Sequence, residues 1–430
     1  MFVMGGQLAL AEAVGLEIMQ VELFFRSRFR NIFTAFKYRN YRLWFFGQLI
    51  SLMGTWMQMT AQAYLVFELT HSAAYLGYVA FVAGIPPWLF MLYGGVVADR
   101  ISRRRLMLIT QSAMMALAAA LSALTLLGLI QAWHIAAMAF LLGVANAFDA
   151  PARQAFVSEL VDREDLTNAI ALNSTMFNAA TAVGPAIAGL TYAAFGPGPC
   201  FAINAVSFLG VLTALALMRI EPQPPILRGR SISAELREGL RFALTEPYIR
   251  ILIVLVALIT AFGMFFATLM PAWTVRILHG NAATNGFLQS ARGAGALIGA
   301  LLIASLGRFQ YRGRLLTAAT FFFPSALFAF SLMRIELLSL IAMIAVGIGL
   351  IFTLNLCNSL VQTISPDELR GRVMGIYSLA FFGFMPLGGL LAGTLAEHIG
   401  EPVTICLGAA IIFIFAAAVR LSRPQLSRLP

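Results

Sequence analysis

The sequence predicts an all-α membrane protein of twelve transmembrane helices in two six-helix halves, and three observations carry that prediction. Of 430 residues, 60% are hydrophobic and only 11% charged, with a mean hydropathy of +0.85; a water-soluble chain carries about a quarter charged residues. Apolar runs long enough to cross a bilayer, roughly 17–25 residues each, follow one another from Trp44 to Leu421. Short motifs also recur at a nearly constant offset, which indicates duplication.

The spans read as 44–69, 73–98, 106–128, 133–153, 168–194, 199–218, 249–275, 286–306, 315–333, 335–361, 372–397 and 402–420. With the N-terminus placed in the cytoplasm, all but three of the 29 Lys and Arg residues fall in cytoplasmic segments. Arg276, Arg292 and Arg334 are the exceptions. That asymmetry is the positive-inside pattern, so the net charge of +10 reports topology and contact with anionic lipid rather than nucleic-acid binding. Both termini are expected in the cytoplasm of a bacterium, with the spans in its cytoplasmic membrane. The three cysteines imply no disulfide framework. Residues 1–24 hold Glu12, Glu17 and Glu22 and make a poor signal peptide.

Asp165-Leu166 ahead of span five matches Glu368-Leu369 ahead of span eleven, Tyr41 matches Tyr248, and Arg103 matches Arg312, three pairs in chain order. The predicted organisation is a cytoplasmic segment 1–38, a six-helix bundle 39–218, a linker 219–248, a second bundle 249–421 and a tail 422–430. The linker opens with Glu221–Pro225, where prolines stop a helix. It continues into "SAELREGLRFALTEP", a short helix with Ser233 as a cap and Leu236, Leu240 and Leu244 on one face. Such a helix lies along the membrane surface or tethers the halves.

Between spans two and three the chain reads "GGVVADRISRRR", one Asp and four Arg in twelve residues (94–105). An Asp at the end of a span is costly unless it finds donors. A simple basic anchor for the loop would account for the arginines but not for Gly95 and Asp99. This stretch, Gly95, Asp99, Arg100, Arg103 and Arg104, resembles the G-x-x-x-D-R-x-G-R-R signature of the major facilitator superfamily, with Ser102 where that family has Gly. The resemblance implies that fold, two bundles that rock about a central site, and an inner gate in which Asp99 pairs across the bundle interface near Arg372. The second half keeps Gly307, Arg308, Arg312 and Arg314 but lacks the Asp.

Span one carries Gln48, Ser51, Thr55, Gln58 and Gln62 at alternating steps of three and four, hence on one helical face. Such a stripe faces a polar cavity or bonds one helix to another; it is the leading substrate-cavity candidate. Asn178 in span five and Asn355 and Asn358 in span ten extend it. Asp149, the one carboxylate placed inside a span, and Arg153 form either a proton-coupling site or an ion pair of the inner gate. Arg292, read as opening span eight, contacts an anionic substrate or reaches the outer interface. "VGPAIAG", with Gly184, Pro185 and Gly189, resembles the Gly-Pro motif of proton-driven exporters, with Ala188 in place of its second Gly; packing alone also accounts for these glycines. "MPLGGLLAG" in span eleven is its counterpart. Phrases such as "NYRLWFFGQLISLMGTWMQ", "NAFDAPARQAFVSELV" and "LRGRVMGIYSLAFFGFMPLGG" resemble the enterobactin-exporter branch, which implies proton-driven efflux of a siderophore or drug.

No G-x-x-x-x-G-K-[ST] loop exists and Lys37 is the sole Lys, which excludes an ATP-driven pump. The four histidines have no metal-ligand spacing, and no catalytic constellation appears in the spans, so neither an enzyme nor a cofactor is expected. The expected partners are a small-molecule substrate, the proton and membrane lipids, with a monomeric protein. Abundant Phe and Met beside neutral amides suit a bulky amphipathic cargo; uptake of a small solute, or a non-transporting sensor, are the alternatives.

Overall fold

The computed structural model describes residues 33–219, 232–305 and 311–429. Among them the regular structure is helical, with no strand. The helices are α1 (Arg39–Thr70), α2 (Ala73–Arg100), α3 (Arg103–Leu126), α4 (Ala132–Phe156), α5 (Leu166–Phe195), α6 (Pro197–Leu217), α7 (Ile232–Thr245), α8 (Pro247–Leu258), α9 (Phe265–Ala272), α10 (Ala282–Ser305), α11 (Arg312–Leu332), α12 (Glu336–Ile364), α13 (Arg370–Ile399) and α14 (Glu401–Ser422). Ten stretches are long and apolar enough to cross a membrane, one of them the composite Pro247–Ile277. The chain is a multi-pass membrane protein.

Helices α1 and α5, of 32 and 30 residues, are long enough to cross a membrane but are not among those ten, in keeping with the Gln and Thr of the first and the Asn and Thr of the second. The composite segment is not a continuous α-helix: α8 and α9 are each followed by a π-helical turn, Ile259–Gly263 and Trp273–Ile277, and Pro271 lies inside α9. A missing N–H and an extra residue per turn loosen the hydrogen-bond ladder there.

Turn chemistry sets the helix ends. Ser72 caps α2 by accepting from the Tyr75 N–H at 3.2 Å. Gly196 at φ 79° and Gly400 at φ 82° end α5 and α13, and a proline follows each within the first residues of the next helix. The two helices that follow the matched Asp165-Leu166 and Glu368-Leu369 motifs, α5 and α13, have the same length of 30 residues, starting at Leu166 and Arg370.

Helix α1 packs on α5 and α6, α2 on α4, and α3 on α4 and α6; in the second half α10 and α11 pack on α12, and α11 on α14. Between the halves, α5 lies along α10 and α2 along α13. The linker helix α7 starts at Ile232, one residue before the expected Ser233 cap, and lies against α13. Residues 221–225, Gly307 and Arg308 fall outside the described residues, as do the side chains of Asp99, Ser233 and Leu236.

Candidate transport pathway and gates

Two seams join the halves, and both are built from small residues. Along the first, a Cβ at Gly189 would stand 2.6 Å from the Ala282 carbonyl oxygen, one at Gly286 2.4 Å from that of Pro185, and one at Gly293 2.5 Å from that of Thr181. Only Gly lets α5 and α10 approach so closely. The "VGPAIAG" stretch thus lies in this seam, with Gly184 turned instead to α1, where its Cβ would be 2.7 Å from that of Trp56. Along the second seam a Cβ at Gly77 would be 2.7 Å from the Gly389 carbonyl oxygen, and one at Gly393 2.4 Å from that of Ala73. Pro386 meets Gly84 there.

The same helices part toward their arginine-rich ends. A Cβ at Gly95 of α2, or at Gly371 or Gly375 of α13, would meet nothing within 4 Å. Arg372 pairs with Glu238 of α7 at 2.5 Å; the Asp99 side chain expected near it lies outside the described residues. Arg103 binds Glu159 at 2.7 Å, and Arg104 donates to the Leu215 and Ala216 carbonyls at the end of α6. Arg100 is exposed. Ser102 adopts φ −49°, a value open to any L residue, so replacing Gly here introduces no strain.

The opposite end is closed by charged groups. Glu397 of α13 accepts from the Ala73 and Ala74 N–H groups at 2.7 and 3.2 Å, and from Ser72 Oγ at 3.3 Å. Arg276 binds Glu401 at 2.9 Å and the His71 carbonyl at 2.5 Å. Beside this network a cavity of about 320 Å³ is lined by Tyr64, Phe67, Glu68 and Tyr192 from the first half and by Val275 and Asn281 from the second. Tyr192 donates its hydroxyl to Glu68. Asp149 is therefore not the lone carboxylate of the spans: Glu68 and Glu397 lie within α1 and α13, near their ends.

Asp149 is 1% exposed. Its Oδ1 accepts from Thr110 Oγ1 at 2.8 Å and Gln111 Nε2 at 3.0 Å, and its Oδ2 faces Arg153 Nε at 3.8 Å. Thr110 and Gln111 were not singled out in the sequence; they lie side by side on α3, and nothing in one helix's own pattern points to a partner on its neighbour.

The α1 stripe divides. Gln48 and Ser51 are buried, and Gln58 accepts from Asn204 of α6 at 2.7 Å, which describes Gln58 as a bond between helices in this conformation. Thr55 donates to the Ser51 carbonyl at 2.8 Å and stays half-buried, as does Gln62. Half-buried Asn178 donates to the Ser174 carbonyl at 2.9 Å, Asn358 accepts from Gln362 at 2.6 Å, and Asn355 is exposed. Arg292 does not open its helix: α10 begins at Ala282, which puts the guanidinium near mid-helix.

Membrane-length helices whose halves meet through glycine seams at one end and part at the other define a polytopic membrane transporter. Comparison with known proteins agrees and narrows the class. The chain belongs to the MFS_3 family of transmembrane secretion effectors, which matches residues 31–428, in the efflux branch of the major facilitator superfamily. It is 28% identical to the multidrug efflux pump Tap of Mycolicibacterium fortuitum over 88% of this chain and 94% of that protein. It is 27% identical to the enterobactin exporter EntS of Escherichia coli O81 over 83% of this chain and 85% of that one. Among solved structures, a mutant of the nucleoside transporter NupG superposes with a TM-score of 0.73 at 14% identity, covering 89% of this chain and 99% of its own; that likeness concerns the fold.

Proposed function

We propose that the chain exports a bulky amphipathic compound, siderophore-like or drug-like, across the bacterial cytoplasmic membrane in exchange for protons. In this reading α1 to α6 and α8 to α14 form two six-span bundles, twelve spans in all. The arginine-rich end and both termini lie in the cytoplasm, and the protein works as a monomer on a small molecule, the proton and the surrounding lipid. The state described above is then inward-open. The observation that carries the reading is the contrast along one helix pair: α2 and α13 touch at Gly77, Gly389 and Gly393 and leave open space at Gly95 and Gly375. A single pair of helices that is tight at one end and splayed at the other is what rocking bundles require.

Closure of the cytoplasmic end brings Asp99 to the start of α13, near Arg372, and frees Arg372 from Glu238. Thr55, Gln62, Asn178, Asn355 and Asn358 line the path. Asp149, already supplied with three donors, holds α3 and α4 together with Arg153 at the gate. The efflux names of the relatives support export over uptake. The test uses proteoliposomes with an imposed pH gradient and an internal pH dye, challenged with hydrophobic drugs, siderophores and small solutes in turn. Proton movement that appears only with amphipathic compounds is expected; movement driven by small polar solutes alone contradicts the reading.

A further inference from the structure

Helix α10 carries a polar face that the packing does not consume. At 3.6 residues per turn, Asn285 and Arg292 lie about 20° apart around the axis, with Gln289 beside them. Phe287, Ile298, Leu301 and Leu302 are exposed apolar residues on the other side of the helix, and Leu301 is about 180° from Arg292. Gly286 and Gly293 turn to α5, and Gly295 and Gly299 to α12. Asn285, Gln289 and Arg292 therefore point between α5 and α12, away from the exposed apolar face and into the space between the halves.

These groups lack partners. Asn285 is 0% exposed, yet neither its amide nitrogen nor its oxygen makes a hydrogen bond within the described residues. Arg292 is half-buried near mid-helix, without an ion pair or a side-chain hydrogen bond among the described residues. Five carboxylates of the described spans are engaged elsewhere: Glu68 with Tyr192, Asp149 with Arg153, Glu397 with the start of α2, Glu401 with Arg276, and Glu336 with Thr284. A guanidinium inside a membrane is expensive without a counter-charge, and a buried amide with four unused bonding positions is similarly unstable.

We infer that the counter-charge is the cargo: Arg292, with Gln289 and Asn285 on the same face, binds an oxyanion carried by the transported compound, a carboxylate, sulfonate or phosphate on an amphipathic body. The planar guanidinium suits bidentate contact with such a group. Asn285 lies nearer the closed end, so the anion passes from Arg292 toward Asn285 as that end opens. This inference rests on the transport reading and names the cargo's charge.

The test is equilibrium binding to the purified full chain in lipid nanodiscs, without any gradient. Three tritiated amphipathic oxyanions (a bile-acid carboxylate, taurocholate and a lysophosphatidate) are compared with the cation tetraphenylphosphonium, on the wild type, Arg292→Gln and Arg292→Lys. The expected result is saturable binding of at least one oxyanion, weakened tenfold or more in Arg292→Gln and partly kept in Arg292→Lys, with the thermal midpoint of Arg292→Gln equal to or above that of the wild type. No oxyanion bound, a preference for the cation, unchanged binding in Arg292→Gln, or a lowered midpoint showing that Arg292 supports the fold, overturns it. Binding through Arg292 without efflux from proteoliposomes would sink the export reading and leave this one standing.

Discussion

Glu397 Oε2 stands 2.7 Å from the Ala73 N–H, so a carboxylate on α13 serves as a cap for α2, a helix of the other half. The start of a helix presents unpaired N–H groups and a partial positive charge. A cap borrowed across the seam exists only while the two ends touch, and it therefore stabilises one conformation selectively.

Glu397→Gln keeps an acceptor but removes the charge. The expected cost to the closed state is about 0.3–1 kcal/mol, a shift of a few-fold toward opening at this end. Distances between spin labels at Thr70 and Leu278 should lengthen in the variant; an unchanged distribution speaks against the cap as a latch.

Gly189→Val places carbon atoms where the Ala282 carbonyl oxygen already lies 2.6 Å from a Cβ position. Helices α5 and α10 must separate, so transport should fall several-fold while the protein still reaches the membrane. Reactivity of a cysteine at Ala193 toward an impermeant thiol reagent reports the separation. Full transport by this variant would contradict the seam.

Asp149→Asn strands Arg153 and exchanges a charged acceptor for an amide between Thr110 and Gln111. Loss of charged, buried hydrogen bonds costs about 1–3 kcal/mol, so the thermal midpoint should drop. Transport measured on the fraction that folds should keep its proton dependence; a normally stable protein that has lost proton coupling assigns Asp149 to the coupling step instead.

Asp165, ahead of α5, receives hydrogen bonds from Lys37 and Tyr38, which hold its carboxyl below the ordinary value. A carboxyl lowered by folding adds stability above its unfolded pKa of about 4, and that stability is lost as pH falls through the folded value. The midpoint difference between the wild type and Asp165→Asn should be present at pH 7 and shrink as pH falls below about 4. The site is exposed, so the difference is small and shrinks in salt.

The sequence disclosed the membrane class and the charged loop because each rests on a local pattern: run length and a cluster of Arg. It disclosed half of the seam. "VGPAIAG" stood out through its proline, whereas Gly286 and Gly293, seven residues apart in α10, are separated by larger residues such as Phe287, Leu288 and Arg292 and form no local motif. Glu68 and Glu397 were missed because each sits at the margin of an apolar run, where a carboxylate looks like loop. The Gln58 to Asn204 bond and the Thr110 and Gln111 donors to Asp149 join different helices, and no single-helix periodicity contains that information. Arg292 was seen but misplaced, since α10 starts four residues earlier than its apolar run.

The rocking of the two halves is tested most directly by double electron–electron resonance on two label pairs in the same protein background. One pair spans the arginine-rich end at Ile101 and Gly371, the other the opposite end at Ala74 and Leu395. Adding cargo under a pH gradient should shorten the first distance and lengthen the second, in matched proportions. Two pairs that stay fixed, or that lengthen together, would contradict an account in which one end closes as the other opens.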